Sequence, residues 1–217
     1  MFLEKDENGF NILMLAAQYH PGALTALLSL LERKLFPEEF LISLFLEKNS
    51  KKYNFLMLAA EYQPETIATI LKFISKKEST FNSHLINLLF DKNPQGYNAL
   101  MLSRYYSPAM MSIIDFVNTL PKPGIPLKFP EIFSIKNVAG LNLLMLLAKD
   151  SPQSLNLLFE FIERNSDHFT EEDLLNLFQD KSLLGYNCLM LAVRNQINTT
   201  EAILNFILKK PKVFSPQ

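Results

Sequence analysis

Apolar and polar residues along this chain follow the spacing of amphipathic helices, and the whole pattern repeats. The segment Asn-x-Leu-Met-Leu begins at Asn11, Asn54, Asn98, Asn142 and Asn187. The intervals are 43, 44, 44 and 45 residues, so the segment marks one unit of constant length. Self-similarity at a fixed period predicts a tandem repeat architecture. The repeats span about residues 6–49, 50–93, 94–137, 138–182 and 183–217.

Each repeat is predicted to hold three helices. Asn is a favoured N-cap because its side-chain oxygen accepts hydrogen bonds from first-turn amides, so a first helix follows each Asn. Proline ends that helix ten residues later and suits the first turn of a second helix. These prolines are Pro21, Pro64, Pro108 and Pro152. A third, shorter helix closes the repeat, and Thr170 with Asp173 resembles a capping box at its start.

The pattern therefore predicts an all-α solenoid of five repeats, forming one domain over residues 1–217. The third repeat departs from the others, because prolines between 121 and 130 shorten its third helix into an extended connection. Phe2-Leu3-Glu4-Lys5 repeats Phe45-Leu46-Glu47-Lys48, and the fifth repeat stops after its second helix. We expect a longer array or protein, or self-association through uncovered terminal repeats.

Composition narrows the partner and the compartment. A net charge of −1 and a pI near 6.3 provide no field that gathers polyanions, so nucleic acid is not the expected partner. No apolar run approaches the roughly 18 residues of a membrane span. The N-terminal residues do not resemble a signal peptide. We expect a cytoplasmic protein or one that is secreted into a host cell.

No arrangement typical of catalysis is found in the sequence, and neither a metal nor a cofactor is expected. The single cysteine, Cys188, occupies a core position of the first helix, and three scattered histidines form no ligand cluster. Glu38-Glu39 and Glu171-Glu172-Asp173 lie in first turns, where acids complement the helix dipole. The Met-Leu-Ala stripe of each first helix indicates core packing. One lysine recurs at the end of each third helix, where a cation suits the helix dipole, and we call these residues the lysine column: Lys48, Lys92, Lys136 and Lys181. Alternatively, the same lysines form a basic ridge that binds acidic lipids.

The segment Gly-x-Asn-x-Leu-Met-Leu-Ala-Ala resembles the ankyrin signature Gly-x-Thr-Pro-Leu-His-x-Ala. Asn stands at the Thr position, and the His position is taken by Met14, Met57, Met101, Met145 and Met190. Each repeat is about 11 residues longer than the roughly 33 of ankyrin, and the third helix accounts for the excess. Three helices per repeat are also similar to armadillo and HEAT units. The Asn-rich and Lys-rich composition resembles effector proteins that intracellular bacteria inject into host cells.

The resemblance implies a scaffold that binds another protein. One exposed row on the first helices is polar or amphipathic and differs in each repeat: Gln18, Glu61, Tyr105, Lys149 and Arg194. Arg104 replaces the alanine or valine of the other repeats, beside Tyr105 and Tyr106. The expected partner-binding residues are Tyr19, Tyr62, Arg104, Tyr105, Tyr106, Lys149 and Arg194. The alternative to partner binding is a structural role, in which the Arg104 side chain extends to solvent or pairs with Asp115.

A second functional hypothesis has the chain as the targeting or substrate-docking module of a longer enzyme whose catalytic domain lies outside these residues. Lipid binding through the lysine column is a third hypothesis, and strong salt dependence would distinguish it.

Overall fold

The computed structural model describes residues 2–33, 36–120 and 128–214, without the side chain of Glu78. The prediction of an all-α fold is confirmed, because these residues form helices, turns and loops and contain no strand. The helices are α1 (Ile12–Tyr19), α2 (Pro21–Arg33), α3 (Glu38–Leu46), α4 (Phe55–Tyr62), α5 (Ile67–Lys76), α6 (Glu78–Phe81), α7 (Leu85–Phe90), α8 (Ala99–Leu102), α9 (Ser107–Thr119), α10 (Phe129–Phe133), α11 (Leu143–Asp150), α12 (Pro152–Arg164), α13 (Glu171–Gln179), α14 (Cys188–Asn195), α15 (Ile197–Leu208) and α16 (Pro211–Phe214). Short 3-10 turns occur at Pro64–Thr66, Asn82–His84, Ser103–Tyr105 and Ser166–His168.

The chain divides into two compact bodies, an N-terminal lobe (Met1–Pro126) and a C-terminal lobe (Leu127–Gln217). Within the N-terminal lobe, α1 packs against α4, α4 against α8, and α5 lies between α2 and α9. Within the C-terminal lobe, α11 packs against α14, α12 against α15 and α10 against α13. Equivalent helices of consecutive repeats therefore lie side by side in each lobe. The single domain and the five repeat boundaries stay predictions.

Each first helix begins where the sequence predicts. The side-chain oxygen of the preceding asparagine accepts a hydrogen bond from the amide three residues later, at 2.9 to 3.0 Å, in all five copies. The second helix or its leading 3-10 turn starts at Pro21, Pro64 and Pro152, and Pro108 is the second residue of α9. These N-cap and proline predictions are confirmed.

Third helices also follow the prediction. Thr170 Oγ1 accepts from the Asp173 amide at 3.0 Å while Asp173 Oδ2 accepts from the Thr170 amide at 2.9 Å, which is the expected capping box of α13. In the third repeat this helix is the short α10, five residues long against nine in α3 and α13. The predicted extended connection falls largely on residues 121–127, which lie outside the described residues.

The loop before each first helix has one recurring geometry. A side-chain oxygen at its first residue accepts the amide four residues later; these first residues are Asp6, Asn49, Asn93, Asn137 and Ser182. The fourth loop residue has positive φ, which glycine adopts without a steric cost. Glycine stands there in four loops, and Lys52 (φ 64°) stands there in the other.

Neighbouring loops hydrogen-bond to one another within each lobe. The Ser50 amide donates to the Asn8 carbonyl at 2.9 Å, and the Leu183 amide donates to the Ala139 carbonyl at 3.0 Å. Pro94 occupies the corresponding position in the third repeat and has no amide hydrogen to donate. This bond therefore joins the first loop to the second and the fourth to the fifth, but Pro94 cannot extend it from the second loop to the third.

The core contains the methionine stripe in four repeats but not in the fifth. Met14, Met57, Met101 and Met145 are at most 1% exposed, whereas Met190 is 50% exposed. The prediction that this stripe is core in every repeat was therefore wrong for Met190. The reason is positional: α14 is the last first helix, and no further one covers it among the residues described.

Candidate binding surface

Asparagine side chains hold the first helices in place through a second hydrogen bond. The amide Nδ2 of Asn11 donates to the Leu44 carbonyl at 2.9 Å, and that of Asn54 donates to the Leu88 carbonyl at 3.2 Å. In the C-terminal lobe, Asn142 Nδ2 donates to Asp180 Oδ2 at 3.1 Å. Each of these asparagines caps a first helix and also ties it to the end of the third helix, because an amide offers an acceptor and a donor together.

The lysine column is engaged in ion pairs between repeats. Lys48 pairs with Asp91, and Lys136 pairs with Asp180, in each case with the acid that ends the next third helix. Lys5 pairs in the same way with Glu47 at 3.3 Å. These carboxylates neutralise lysines that a basic ridge would need, so the lipid-binding hypothesis loses support.

Four tyrosines are exposed at the ends of the first helices of the N-terminal lobe. The exposed fractions are 58% for Tyr19, 49% for Tyr62, 65% for Tyr105 and 41% for Tyr106. Together with Arg104 we call these residues the tyrosine face. Tyrosine and arginine are the residue types most enriched at interfaces, since each combines a large contact area with a polar end.

Arg104 is half-buried within this face and held by its neighbours. Its Nη1 donates to the Met101 carbonyl at 3.0 Å, and its Nη2 donates to the Tyr105 hydroxyl at 2.9 Å. The guanidinium carbon lies 4.1 Å from the ring centre of Tyr105 and 5.3 Å from that of Tyr97. The side chain therefore orders Tyr105 through a hydrogen bond and cation–π contact.

The charge of Arg104 acts on the Glu61 carboxylate, an interaction that the sequence did not reveal. Burial raises the pKa of the Glu61 carboxyl, while the hydrogen bond from the Tyr53 hydroxyl and the charge of Arg104 lower it. Burial also raises the pKa of Tyr62, and the charges of Glu61 and Tyr19 raise it further. Electrostatic interactions therefore link Tyr62 to Tyr19 and Glu61, and Glu61 to Arg104, while Arg104 contacts Tyr105 directly.

Lys149 and Arg194, the two predicted residues of the C-terminal lobe, line a groove of about 470 Å³. The Arg194 guanidinium lies 5.3 Å from the ring centre of Tyr186. Leu183 and Leu184 also line it and are 78% and 81% exposed. We call this site the cationic groove. Neither leucine was predicted to be functional, although the equivalent loop positions of the first repeat carry the polar residues Glu7 and Asn8.

Other candidate chemistry is accounted for by packing. Cys188 is 1% exposed, its thiol donates to the Phe178 carbonyl, and burial raises its pKa to about 12. A thiol in that state is a poor nucleophile. The described part of the chain contains no group of His, Cys, Asp and Glu side chains arranged to hold a metal ion. None of its helices has the length and apolar character needed to cross a bilayer.

Comparison with known proteins adds a similarity of fold. No family model matches the chain, and no curated protein matches it in sequence. Among solved structures, it matches a chain from the complex of a predatory endopeptidase of Bdellovibrio bacteriovorus with an immunity protein. The TM-score is 0.55 with 16% sequence identity, and the match covers 94% of this chain and 85% of the other.

Proposed function

We propose that this chain is a protein-interaction scaffold built as a solenoid of ankyrin-like repeats, and that it binds a partner protein through its first-helix surfaces. The observation that carries this proposal is the tyrosine face. Exposed aromatic side chains stand at the ends of three successive first helices, around an arginine whose position is fixed by its neighbours. Such rigid aromatic and arginine anchors lose little conformational entropy on binding.

Two further features support the proposal. The asparagine ties and loop hydrogen bonds fix the first helices, so the surface is organised before a partner arrives. The two lobes also present different chemistry, with aromatic residues and Glu61 in one and cations with leucines in the other. Variable side chains on a constant scaffold are how repeat proteins encode a partner.

The resemblance to bacterial effectors makes a host protein the partner class that we propose. A chain of similar fold takes part in a solved protein complex, and this agrees with a protein partner here.

Site-specific photocrosslinking in cells tests the proposal. A benzophenone amino acid is placed at Tyr105 or Lys149 and, as matched controls on the second helices, at the exposed Lys72 or Glu160. We expect one discrete adduct from positions 105 and 149, identified by mass spectrometry, and none from positions 72 and 160. Adducts that form only from the control positions would place the binding surface on the second helices and overturn the proposal.

A further inference from the structure

We propose that the cationic groove of the C-terminal lobe binds an extended segment of the partner in which acidic residues alternate with large apolar residues. This inference rests on the proposed function and names the chemistry of the partner segment at one part of the surface.

Charge complementarity identifies the first half of this chemistry. The side chains that line the groove include two cations, Lys149 and Arg194, and no carboxylate. The Lys149 ammonium lies 3.8 Å from the carboxylate of Asp150, and the Lys149 side chain is 44% exposed. An exposed ion pair at that distance is weak, so Lys149 stays available to a carboxylate from outside.

The apolar wall identifies the second half. Leu183 and Leu184 lie in the loop before α14 and are more than three-quarters exposed. Tyr186 and the buried Leu191 also line the groove. Such exposed leucines are costly to leave in water, so a ligand that buries them gains hydrophobic binding energy. A purely anionic ligand, such as a nucleic-acid backbone, would leave this wall uncovered.

The position of the two walls predicts the alternation. Leu184 precedes α14 and Arg194 lies in its last turn, so about 12 Å of helix separates their backbones, while the Arg194 guanidinium extends back to 5.3 Å from the ring centre of Tyr186. Side chains of an extended segment point alternately to opposite sides and advance about 3.3 Å per residue. Acidic residues would therefore point toward Lys149 and Arg194, and the apolar residues between them would point toward the leucines.

Fluorescence anisotropy with the full chain tests the inference. The probe is a fluorescein-labelled eight-residue peptide of alternating aspartate and leucine. Two control peptides replace every aspartate by asparagine or every leucine by serine. We expect the probe to bind at least about tenfold more tightly than either control, because each control loses one of the two walls.

Matched variants then locate the site. Lys149→Gln with Arg194→Gln should weaken binding of the probe by at least about tenfold. Arg164→Gln with Lys212→Gln removes the same charge from exposed positions outside the groove and should change the affinity by less than about twofold. Leu184→Ser should weaken binding about fivefold with an unchanged melting temperature, since the side chain is 81% exposed.

Different results would overturn the acidic-segment inference and the proposed scaffold function. No binding of the probe to the unaltered chain up to about 1 mM, or equal losses in both charge variants, would overturn the acidic-segment inference. The photocrosslinks from positions 105 and 149 would still stand in that case. Conversely, binding of the probe without any crosslinked partner would overturn the scaffold function and leave the groove chemistry in place.

Discussion

Replacing Asn142 by aspartate keeps the N-cap acceptor of α11 but removes the amide donor that ties α11 to α13. Asn142 is 0% exposed, and its Nδ2 donates to the carboxylate of Asp180 at 3.1 Å. The substitution would place two carboxylates in that contact. Asn187→Asp is the matched control in the same lobe, because Asn187 caps α14 in the same way but is only half-buried.

The expected loss of stability in Asn142→Asp has two contributions, the lost hydrogen bond and the repulsion between two carboxylates. A hydrogen bond to a charged group contributes about 1.5–3 kcal/mol. Two carboxylates at this separation repel by about 5 kcal/mol at an effective dielectric constant near 20, and Lys136, which pairs with Asp180, offsets part of this. We expect Asn142→Asp to lower the free energy of unfolding by about 4 kcal/mol near neutral pH, and Asn187→Asp to change it by less than about 0.5 kcal/mol.

The pH dependence provides a second signature. Repulsion raises the pKa of the carboxylate pair in the folded state, so the folded variant binds more protons than the unfolded chain, and its stability falls as pH rises. Lowering the pH should therefore restore part of the loss. The double variant Asn142→Asp with Asp180→Asn exchanges donor and acceptor and should recover at least about half of it.

Urea unfolding followed by far-ultraviolet circular dichroism, near neutral pH and near pH 5, measures all three variants. A difference of less than about 1 kcal/mol between Asn142→Asp and Asn187→Asp would refute the reasoning, because the tie to α13 would then contribute nothing beyond the cap.

Three further predictions use the same unfolding assay. Gly185→Ala should lower the free energy of unfolding by about 1 kcal/mol, because of its positive φ alone. Gly140→Ala should lower it by at least about 1 kcal/mol more, because the added Cβ would lie 2.8 Å from the Leu183 nitrogen. Equal losses in the two variants would contradict this. Lys52→Gly should raise stability by about 0.5–1 kcal/mol by relieving positive φ, and a decrease would show that the loop carries no strain. Glu61→Gln should gain stability relative to the unaltered chain as pH rises above 4.5, because the raised pKa of Glu61 makes its charged form unfavourable in the fold; parallel pH profiles would contradict this.

The sequence predicted helix starts well because the N-cap is a local device. Asn142 Oδ1 bonds the Met145 amide three residues away, and residue type and spacing suffice to predict it. The second bond of the same side chain reaches Asp180, 38 residues along the chain. No local rule indicates that partner, so the tie between first and third helices could not be predicted.

Identical residues also acquire different environments from their neighbours. Met145 and Met190 occupy the same repeat position, yet one is buried and the other is half exposed. The lysines were assigned to helix dipoles, but the structure pairs Lys48 and Lys136 with acids of the following repeat. Periodicity predicts which residues are equivalent but not which repeat stands beside them.

The candidate surface was predicted only in part, because periodicity does not show which residues of neighbouring repeats meet there. The variation along one helical row identified Tyr105, Lys149 and Arg194, which the structure leaves exposed. The charge of Arg104 acts on Glu61 of the preceding repeat, a neighbour that was not paired with it from the sequence. Leu183 and Leu184 were not predicted because two adjacent apolar residues in a loop show neither the helical nor the strand period.

The affinity of the crosslinked partner for the double variant Tyr105→Ala with Lys149→Ala tests the central claim most directly. Isothermal titration calorimetry should show binding at least about tenfold weaker, with a nearly unchanged melting temperature because both side chains are exposed. The control pair Lys72→Ala with Glu160→Ala should bind as the unaltered chain does. Unchanged affinity in the Tyr105 and Lys149 variant would contradict the claim that the first-helix surfaces bind the partner.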